Sequence, residues 1–218
     1  MRGVFVTGTD TGVGKTVVSA ALVHALRADG AVGYWKPVQT GIEQDDDTAT
    51  VRQLAACRDE ELWHRGVRLP RPLSPHLAAR LAGVSIDVAS VQADAPTDAS
   101  RFWVVEGAGG VLVPVNEREL IVDLIAALGL PVVVAARSGL GTINHTLLTV
   151  EALRTRRCVV TGVVMVGPSN PENRDAVTVR TGVPVFAELP LLSPLTPEVL
   201  GPWAFGACRA ATRSWRDA

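Results

Sequence analysis

The chain is organised around residues 3–16, GVFVTGTDTGVGKT, where a short apolar run leads into a glycine-rich turn and then into a helical segment at residues 17–26. Glycine can adopt backbone dihedrals that are closed to other residues, so the glycines of this turn can point its N–H groups inward. The start of a helix also favours anions, because its first N–H groups have no partners within the helix. This order of strand, glycine-rich turn and helix predicts a phosphate-binding cup.

The turn ends in two side chains that suit a nucleotide. Lys15 would place a positive charge on the β- and γ-phosphates, and the Thr16 hydroxyl would ligate Mg²⁺, which keeps most of its waters. The spacing departs from the usual G-x4-G-K-[ST], because Gly8 lies one position further from the Gly-Lys pair than that pattern has it. The carboxylate of Asp10 would repel a phosphate unless it holds Lys15 or a metal-bound water, and the sequence leaves that choice open.

Length and composition limit the classes of protein. A chain of 218 residues is long enough for one sizeable core, which predicts one domain over residues 1–218. With 21 basic against 22 acidic residues, the charge balance gives no case for nucleic acid or for an anionic membrane. Cys57, Cys158 and Cys208 are scattered, which predicts a reducing cytoplasmic setting. The chain shows neither a signal-peptide pattern nor a bilayer-length apolar run, so we expect a soluble protein with small-molecule partners.

Lysine is rare in this sequence. Lys15 and Lys36 are the only lysines, and the remaining basic residues are arginines. An ammonium group is compact and a guanidinium group is broad, so two positions that keep lysine are predicted to need an amine. Lys36 follows the strand predicted at residues 31–35, and Pro37 stops that strand. Because ligands of an open parallel sheet bind beyond the carboxyl ends of its strands, we expect Lys36 beside the phosphates as a second catalytic cation.

Two groups of carboxylates are candidate metal ligands. Residues 43–47, EQDDD, precede a predicted helix at 48–56, so one of these side chains can cap that helix while another completes the coordination of Mg²⁺. Asp47 is the favoured ligand, and Asp45 and Asp46 stay open as alternatives. The strand at residues 101–105 ends in Glu106, which can ligate the metal or orient a metal-bound water. The glycines at 107–110 would let the backbone approach a ligand closely.

The rest of the chain alternates strands and helices. Apolar runs typical of buried parallel strands indicate an α/β fold of the P-loop NTPase type, a mostly parallel sheet with helices on both faces. Thr142 or Asn144 can cap the helix at 146–153, and the free N–H groups there offer a second anion site, suited to a carboxylate. His76, next to a proline-rich loop, stays outside the predicted chemistry. The predicted elements are a loop at 67–76, helices at 77–82, 120–128, 146–153 and 172–180, strands at 131–136, 159–166 and 184–190, and a closing helix.

Five stretches together resemble one family of enzymes. In their order and spacing the chain is similar to dethiobiotin synthetase, the P-loop ligase that closes the ureido ring in biotin synthesis. The resemblance implies a reaction of 7,8-diaminononanoate with CO2 and MgATP, through a carbamate and a carbamic-phosphoric anhydride, to dethiobiotin, ADP and phosphate. It also implies a homodimer. The five stretches are 8–16, 36–41, 74–79, 105–110 and 140–145.

The same resemblance implies roles for individual residues. Lys36 would stabilise the carbamate and the transferring phosphoryl group together with Lys15, and Thr16, Asp47 and Glu106 would hold Mg²⁺. The diamine would lie near Thr11, Thr40 and Lys36, and its carboxylate would bind the neighbouring subunit at Leu140, Gly141, Thr142 and Asn144. The nucleotide would contact Gly12, Val13, Gly14, Lys15, Thr16, Val17, Asp47, Glu106, Gly107, Ala108, Gly109, Pro190, Leu191 and Leu192.

One departure from that family concerns the nucleotide base. Well-known members read adenine with an Asn-Asp pair after the strand near residue 165, where this chain has Val166 and Gly167. Recognition by hydrogen bonds makes discrimination steep, so its loss predicts that CTP or GTP partly replaces ATP. The rival interpretation is a ParA/MinD-like dimerising ATPase switch. Those proteins carry a further lysine early in the phosphate loop, where this chain has Thr9 and Asp10.

Overall fold

The computed structural model describes residues 1–216, and in that range nine strands and eight α-helices follow one another. The strands are β1 (Arg2–Gly8), β2 (Val32–Trp35), β3 (Val38–Thr40), β4 (Leu62–Trp63), β5 (Val67–Leu69), β6 (Phe102–Gly110), β7 (Val132–Arg137), β8 (Val160–Val166) and β9 (Val185–Leu189). The helices are α1 (Lys15–Arg27), α2 (Asp47–Leu54), α3 (Pro75–Ala82), α4 (Val88–Ala93), α5 (Ile121–Leu128), α6 (Thr142–Thr155), α7 (Pro171–Thr181) and α8 (Pro197–Arg216).

A parallel sheet forms the centre of the fold. Its strand order is β4-β2-β6-β1-β7-β8-β9, and across residues 1–216 every pair of neighbouring strands in it is parallel. A second, two-stranded parallel sheet joins β3 to β5. Because all strands of the large sheet run in one direction, their carboxyl ends meet at one edge. That edge is where an open α/β sheet binds its ligands.

Alternate residues of the strands build two hydrophobic cores, one on each face of the sheet. Along β1, Val4 and Val6 face α1, α2 and α8, whereas Phe5 faces α3 to α7. Fully buried strands of this kind read as continuous apolar runs, since both faces are covered by helices. The predicted α/β fold, with a parallel sheet between two layers of helices, is confirmed.

Two boundaries differ from the sequence predictions by four residues or more. Strand β6 continues through Glu106 to Gly110, because its pairing with β1 extends to Gly8 opposite Gly110. Helix α6 begins at Thr142 and not at residue 146, so the prediction that Thr142 or Asn144 caps it is wrong. The N-cap is Gly141 with a φ of 90°, a left-handed conformation that glycine adopts freely and that lets the helix start directly after the turn.

The short elements β3, β4, β5 and α4 were not predicted. Strands of two or three residues bury too few side chains to leave a periodic pattern. Among the helices within residues 1–216, none is long and apolar enough to cross a membrane.

Candidate active site

The glycine-rich turn between β1 and α1 depends on the backbone of Gly14. This residue is the N-cap of α1 with a φ of 92°, and no side chain caps the helix. A Cβ atom at Gly14 would lie 3.1 Å from Val166 Cγ1, so β8 closes the space behind the turn. The turn is also anchored to the sheet, because Thr9 donates its main-chain N–H to the carbonyl of Ala135 at 3.0 Å. The uncapped start of α1 is therefore held open toward the carboxyl edge of the sheet.

Four polar side chains meet beside this turn, and we call them the Lys36 cluster: Thr16, Lys36, Asp47 and Glu106. Lys36 Nζ lies 2.8 Å from Glu106 Oε1 and 2.5 Å from Asp47 Oδ2. Thr16 Oγ1 lies 2.8 Å from Asp47 Oδ1 and 3.0 Å from Glu106 Oε1, and its single proton can be donated to either carboxylate. Lys36 also donates to the carbonyl of Gly107 at 2.8 Å. The first turn of α1, the residue that follows β2, the first residue of α2 and strand β6 thus bring one side chain each to a single point.

The charges of the Lys36 cluster support one another. Burial alone would lower the pKa of Lys36, but the carboxylates of Glu106 and Asp47 outweigh burial and raise it. Burial likewise works to raise the pKa of Asp47, but the positive charge of Lys36 and the hydrogen bonds from Lys36 and Thr16 lower it. Lys36 therefore stays an ammonium ion and Asp47 a carboxylate at neutral pH.

Lys15 is the first residue of α1, directly before Thr16. Its Nζ donates to the main-chain carbonyl of Asp10 at 2.8 Å. Burial, followed by the positive charge of Lys36, lowers the pKa of Lys15 to about 8. The carboxylate of Asp10 is used elsewhere, since Oδ1 accepts the N–H of Thr11 at 2.7 Å and Oδ2 lies 3.2 Å from Arg137 Nη2. In this structure Asp10 thus contacts Lys15 through its main-chain carbonyl. The alternative that its carboxylate holds Lys15 is wrong.

The acidic cluster at 43–47 divides its tasks between neighbours. Asp46 is the N-cap of α2 and accepts the N–H groups of Thr48 at 2.9 Å and Ala49 at 3.1 Å. Asp47, the next residue, turns toward Lys36 instead. Asp45 contributes its main-chain carbonyl to the side chain of Gln39. Helix capping and a carboxylate in the site are therefore both present, on adjacent residues.

The Lys36 cluster opens into a cavity of about 640 Å³. Most of the residues predicted to bind nucleotide or diamine line it, and so do residues from the loop after β5 that were not predicted. The sequence indicated this loop only through the stretch at residues 74–79, one of the five that carry the family resemblance. The predicted residues lining the cavity are Thr11, Gly12, Gly14, Lys15, Thr16, Val17, Lys36, Thr40, Asp47, Glu106, Ala108 and Gly109, and the additional ones include Pro72, Leu73, Ser74, Pro75 and Val113.

Other predicted residues lie outside this cavity. Val13 is buried in the core. Gly107 contacts the Lys36 side chain through its main-chain carbonyl. Leu140, Gly141 and Asn144 are exposed around the start of α6, whereas Thr142 is buried. The predicted base-binding residues Pro190, Leu191 and Leu192 follow β9, with Leu191 exposed. Among the described residues, the start of α6 and the segment after β9 therefore lie at the carboxyl edge of the sheet, but they do not line the cavity that contains Lys36.

Sequence reasoning missed Tyr34. This residue lies on β2, and its hydroxyl donates to Glu106 Oε2 at 2.9 Å. Burial, and then the negative charge of Glu106, raise the pKa of Tyr34 well above its usual range, so the hydroxyl keeps its proton. The alternation of side chains along β2 and β6 is compatible with Tyr34 and Glu106 on one face of the sheet. Only the register of the two strands shows that these residues are in contact.

The strand, glycine-rich turn and helix, with a lysine and a threonine at the helix start, define a P-loop nucleotide-binding protein. A family profile described as an AAA domain matches residues 2–199. The ATP-dependent dethiobiotin synthetase BioD of Paramagnetospirillum magneticum is 53% identical over 196 residues, which cover 90% of this chain and 91% of that protein. The protein of the same name from Agrobacterium fabrum is 47% identical over 195 residues, covering 89% of each chain. The chain belongs to the ATP-dependent dethiobiotin synthetase family.

Two further comparisons concern a fused relative and the fold. The biotin biosynthesis bifunctional protein BioCD of Bordetella avium is 52% identical over 204 residues, and the match covers 93% of this chain but 42% of that protein. A ParA family ATPase from Chlorobium tepidum aligns over 100% of this chain and 98% of its own, with a TM-score of 0.56 and 10% identity. A chain of the MinC:MinD cell division complex of Aquifex aeolicus aligns over 100% and 96%, with a TM-score of 0.61 and 11% identity. At such low sequence identities the similarity shows the fold alone. The ATPase-switch interpretation is therefore supported only by distant structural similarity.

Proposed function

We propose that this chain closes the ureido ring of dethiobiotin from 7,8-diaminononanoate and CO2, with conversion of ATP to ADP and phosphate. Membership of the dethiobiotin synthetase family supports this reaction. The observation that carries it is the position of Lys36, which is buried between Asp47 and Glu106 and lines the same cavity as Lys15. An enzyme that brings two anionic reactants together needs such cations.

The chemistry has three steps. One amine of the substrate adds to CO2 and loses a proton, which gives a carbamate. A carbamate oxygen then attacks the γ-phosphorus of ATP, and ADP leaves. The second amine attacks the carbonyl carbon of the mixed anhydride and loses a proton, and phosphate leaves as the ring closes. Preorganised cations lower the barrier of the middle step, because they oppose the repulsion between carbamate and γ-phosphate.

The two lysines have different tasks in this proposal. Lys36 stays protonated, so it stabilises the carbamate and the transferring phosphoryl group as a fixed positive charge. Lys15 begins α1 in the phosphate-binding turn and contacts the β- and γ-phosphates. To reach these phosphates, the Lys15 ammonium group gives up its hydrogen bond to the main-chain carbonyl of Asp10.

Magnesium fits the donors of the Lys36 cluster. Mg²⁺ prefers hard oxygen ligands and takes few of them from the protein. The Thr16 hydroxyl has a carboxylate oxygen on each of two sides, because Oγ1 lies 2.8 Å from Asp47 Oδ1 and 3.0 Å from Glu106 Oε1. These three residues would hold the ion, which when bound supplies positive charge against the phosphates. Thr16 and Asp47 also keep their places without it, because both contact other members of the cluster.

The remaining substrate contacts follow the walls of the cavity. Thr11 and Thr40 line it near Lys36 and bind the diamine. The phosphates contact a further part of the lining, which consists of Gly12, Gly14, Val17, Ala108 and Gly109. The residues after β9, from Pro190 to Leu192, lie beside the end of β8 and bind the nucleotide base.

We also propose that two copies of the chain share each active site. The start of α6 has no side-chain cap, and Leu140 beside it is fully exposed, so these N–H groups can receive a carboxylate from a neighbouring subunit's substrate. Asn144→Asp adds a negative charge to the start of α6. The helix start tolerates this charge, but the charge repels the carboxylate of the substrate. If Asn144→Asp and Lys36→Ala are each inactive alone, re-associated mixtures are expected to regain about a quarter of wild-type turnover, because half of the dimers then carry one intact site. Mixtures without regained turnover contradict shared sites.

The direct test of the function uses the diamine, labelled bicarbonate and MgATP. We expect labelled dethiobiotin and one ADP for each product molecule, with ATP turnover that depends on the diamine. A switch-type ATPase would hydrolyse ATP without the diamine and incorporate no label. That result would overturn the proposed function.

A further inference from the structure

Tyr34 and Glu106 form a buried contact beneath the Lys36 cluster. Tyr34 on β2 lies opposite Val104 on β6, so Glu106, two residues further along β6, is on the same face of the sheet. The Tyr34 hydroxyl donates to Glu106 Oε2 at 2.9 Å. Tyr34 is 1% and Glu106 0% exposed, so solvent does not compete for this hydrogen bond.

The two oxygens of Glu106 have separate partners. Oε2 accepts from Tyr34, whereas Oε1 accepts from Thr16 at 3.0 Å and from Lys36 at 2.8 Å. A quarter turn of the carboxylate about its last bond would break all three contacts together, whereas a half turn only exchanges two equivalent oxygens. The contact with Tyr34 thus anchors the oxygen that lies away from Thr16 and Lys36, and so helps to fix the plane of the carboxylate.

A purely packing role does not explain the hydroxyl. Tyr34 is the only tyrosine of the sequence, and phenylalanine would fill the same space in the core with its ring. Placing a hydroxyl in such a core costs free energy unless it is hydrogen-bonded. Here the hydroxyl is bonded to a side chain of the candidate metal site.

We infer that Tyr34 is a positioning residue, which fixes the plane of the Glu106 carboxylate so that one of its oxygens faces Thr16 and Lys36, where the metal and the phosphates are to bind. The inference rests on the proposed function, because it assigns Glu106 to the metal. It adds a residue that touches neither substrate nor metal and acts through the carboxylate alone.

The test is Tyr34→Phe, which removes the hydroxyl and keeps the ring. ADP binding is measured by calorimetry with and without Mg²⁺, next to steady-state kinetics. We expect ADP affinity without Mg²⁺ to stay within about twofold of wild type, while the gain in affinity that Mg²⁺ gives falls roughly tenfold, as for the loss of a hydrogen bond to a charged group. The kcat is expected to fall by a similar factor, with the KM for the diamine little changed.

Thr161→Val is the matched control. Thr161 on β8 donates its hydroxyl to the carbonyl of Val132 at 3.1 Å, so this variant also removes a hydroxyl hydrogen bond from a strand but leaves the Lys36 cluster intact. It is expected to bind ADP and Mg²⁺ as wild type does. An unchanged Mg²⁺ effect in Tyr34→Phe overturns the inference. So does an equal loss of ADP affinity with and without Mg²⁺, because general damage to the fold produces that pattern.

A second measurement needs no substitution. Because the chain has one tyrosine, labelling with 3-fluorotyrosine gives a single fluorine resonance, from Tyr34. We expect it to shift more on addition of ADP with Mg²⁺ than on addition of ADP alone, and equal shifts contradict the inference. Neither binding readout requires turnover, so a wild-type protein that makes no dethiobiotin would refute the proposed function separately from the role of Tyr34.

Discussion

Lys36 Nζ lies 2.8 Å from Glu106 Oε1, and both residues are almost fully buried. A buried charge without its partner is costly, so the carboxylate of Glu106 helps to keep Lys36 protonated. The raised pKa of Lys36 follows from this pair and from Asp47, which overcome the effect of burial. Lys36 therefore serves as a fixed positive charge in the proposed reaction, and not as a base that takes the proton from an amine.

Asp46 and Asp47 are expected to respond differently to substitution. Asp46→Ala removes the cap of α2 and should lower the free energy of unfolding by about 1 kcal/mol, with kcat within about twofold of wild type. Asp47→Asn removes a charge from the Lys36 cluster and should lower kcat roughly a hundredfold. Denaturant unfolding and steady-state assays on both variants check this. A large loss of kcat in Asp46→Ala would show that the two tasks are not divided in this way.

Arg137 is expected to neutralise Asp10. These side chains are 3.2 Å apart and half exposed, and without Arg137 the carboxylate of Asp10 would face the bound phosphates as an unpaired negative charge. Arg137→Ala should raise the KM for ATP roughly threefold, in line with the strength of exposed ion pairs. The double variant Asp10→Asn/Arg137→Ala should regain the wild-type KM.

Arg156 provides the control for Arg137. It makes a similarly exposed pair with Asp123 at 3.4 Å, outside the residues that line the cavity, and Arg156→Ala should leave the KM for ATP unchanged. If Asp10→Asn does not suppress the effect of Arg137→Ala, charge neutralisation is not what Arg137 contributes.

Glu61 is expected to make stability depend on pH. Burial would raise its pKa, but the N–H of Arg58 and the charge of Arg27 lower it overall. Since the folded-state pKa is below the unfolded value, Glu61 stabilises the fold above the unfolded pKa of about 4.3, and this stabilisation is lost as the pH falls through the folded pKa. Glu61→Gln should therefore lower the free energy of unfolding by about 2 kcal/mol at pH 7, and the difference should shrink in acid.

The exposed neighbour Glu60 gives the comparison. It pairs with Arg58 at 3.1 Å with about half of its side chain in solvent, so Glu60→Gln should change stability little at any pH. Urea unfolding of the wild type and both variants between pH 7 and pH 3 provides the measurement. A deficit in Glu61→Gln that stays constant over this range is incompatible with the predicted pKa.

Nucleotide choice is expected to be relaxed. Val166 stands where the resemblance to known members would have an asparagine. Its methyl groups pack behind Gly14, and its side chain can neither donate nor accept a hydrogen bond. A side chain at Gly167 would meet Ser138 Oγ at 2.5 Å, so that position cannot supply the missing contact without rearrangement. We expect the kcat/KM values of ATP, CTP and GTP to lie within roughly tenfold of one another. A preference for ATP of more than about a hundredfold would exclude this prediction.

The sequence predicted the fold where burial is complete. Strands such as β7 and β8 are covered on both faces, so their apolar runs are unmistakable. The glycine-rich turn was equally clear, because its backbone needs specific residues. The start of α6 was misplaced, since the conformation of Gly141 ended the turn earlier than any capping side chain suggested.

Contacts between distant segments could not be predicted. Which aspartate caps α2 depends on the backbone at Asp46, whose extended conformation turns its side chain to the helix and leaves Asp47 for Lys36. The pair of Asp10 with Arg137 joins residues far apart in sequence, and Tyr34 meets Glu106 only through the register of β2 with β6. Such contacts depend on tertiary structure, which residue patterns alone do not determine.

The proposed function depends most on the ammonium group of Lys36, so the decisive measurement is the turnover of Lys36→Ala with the diamine, bicarbonate and MgATP. Circular dichroism at the assay temperature first establishes that the variant is folded. We expect dethiobiotin formation to fall by a hundredfold or more, about 3 to 4 kcal/mol of lost transition-state stabilisation. Lys36→Arg should also be impaired, because a guanidinium group cannot take the place of a compact ammonium group between Asp47 and Glu106. A folded Lys36→Ala protein with near wild-type turnover would contradict the account.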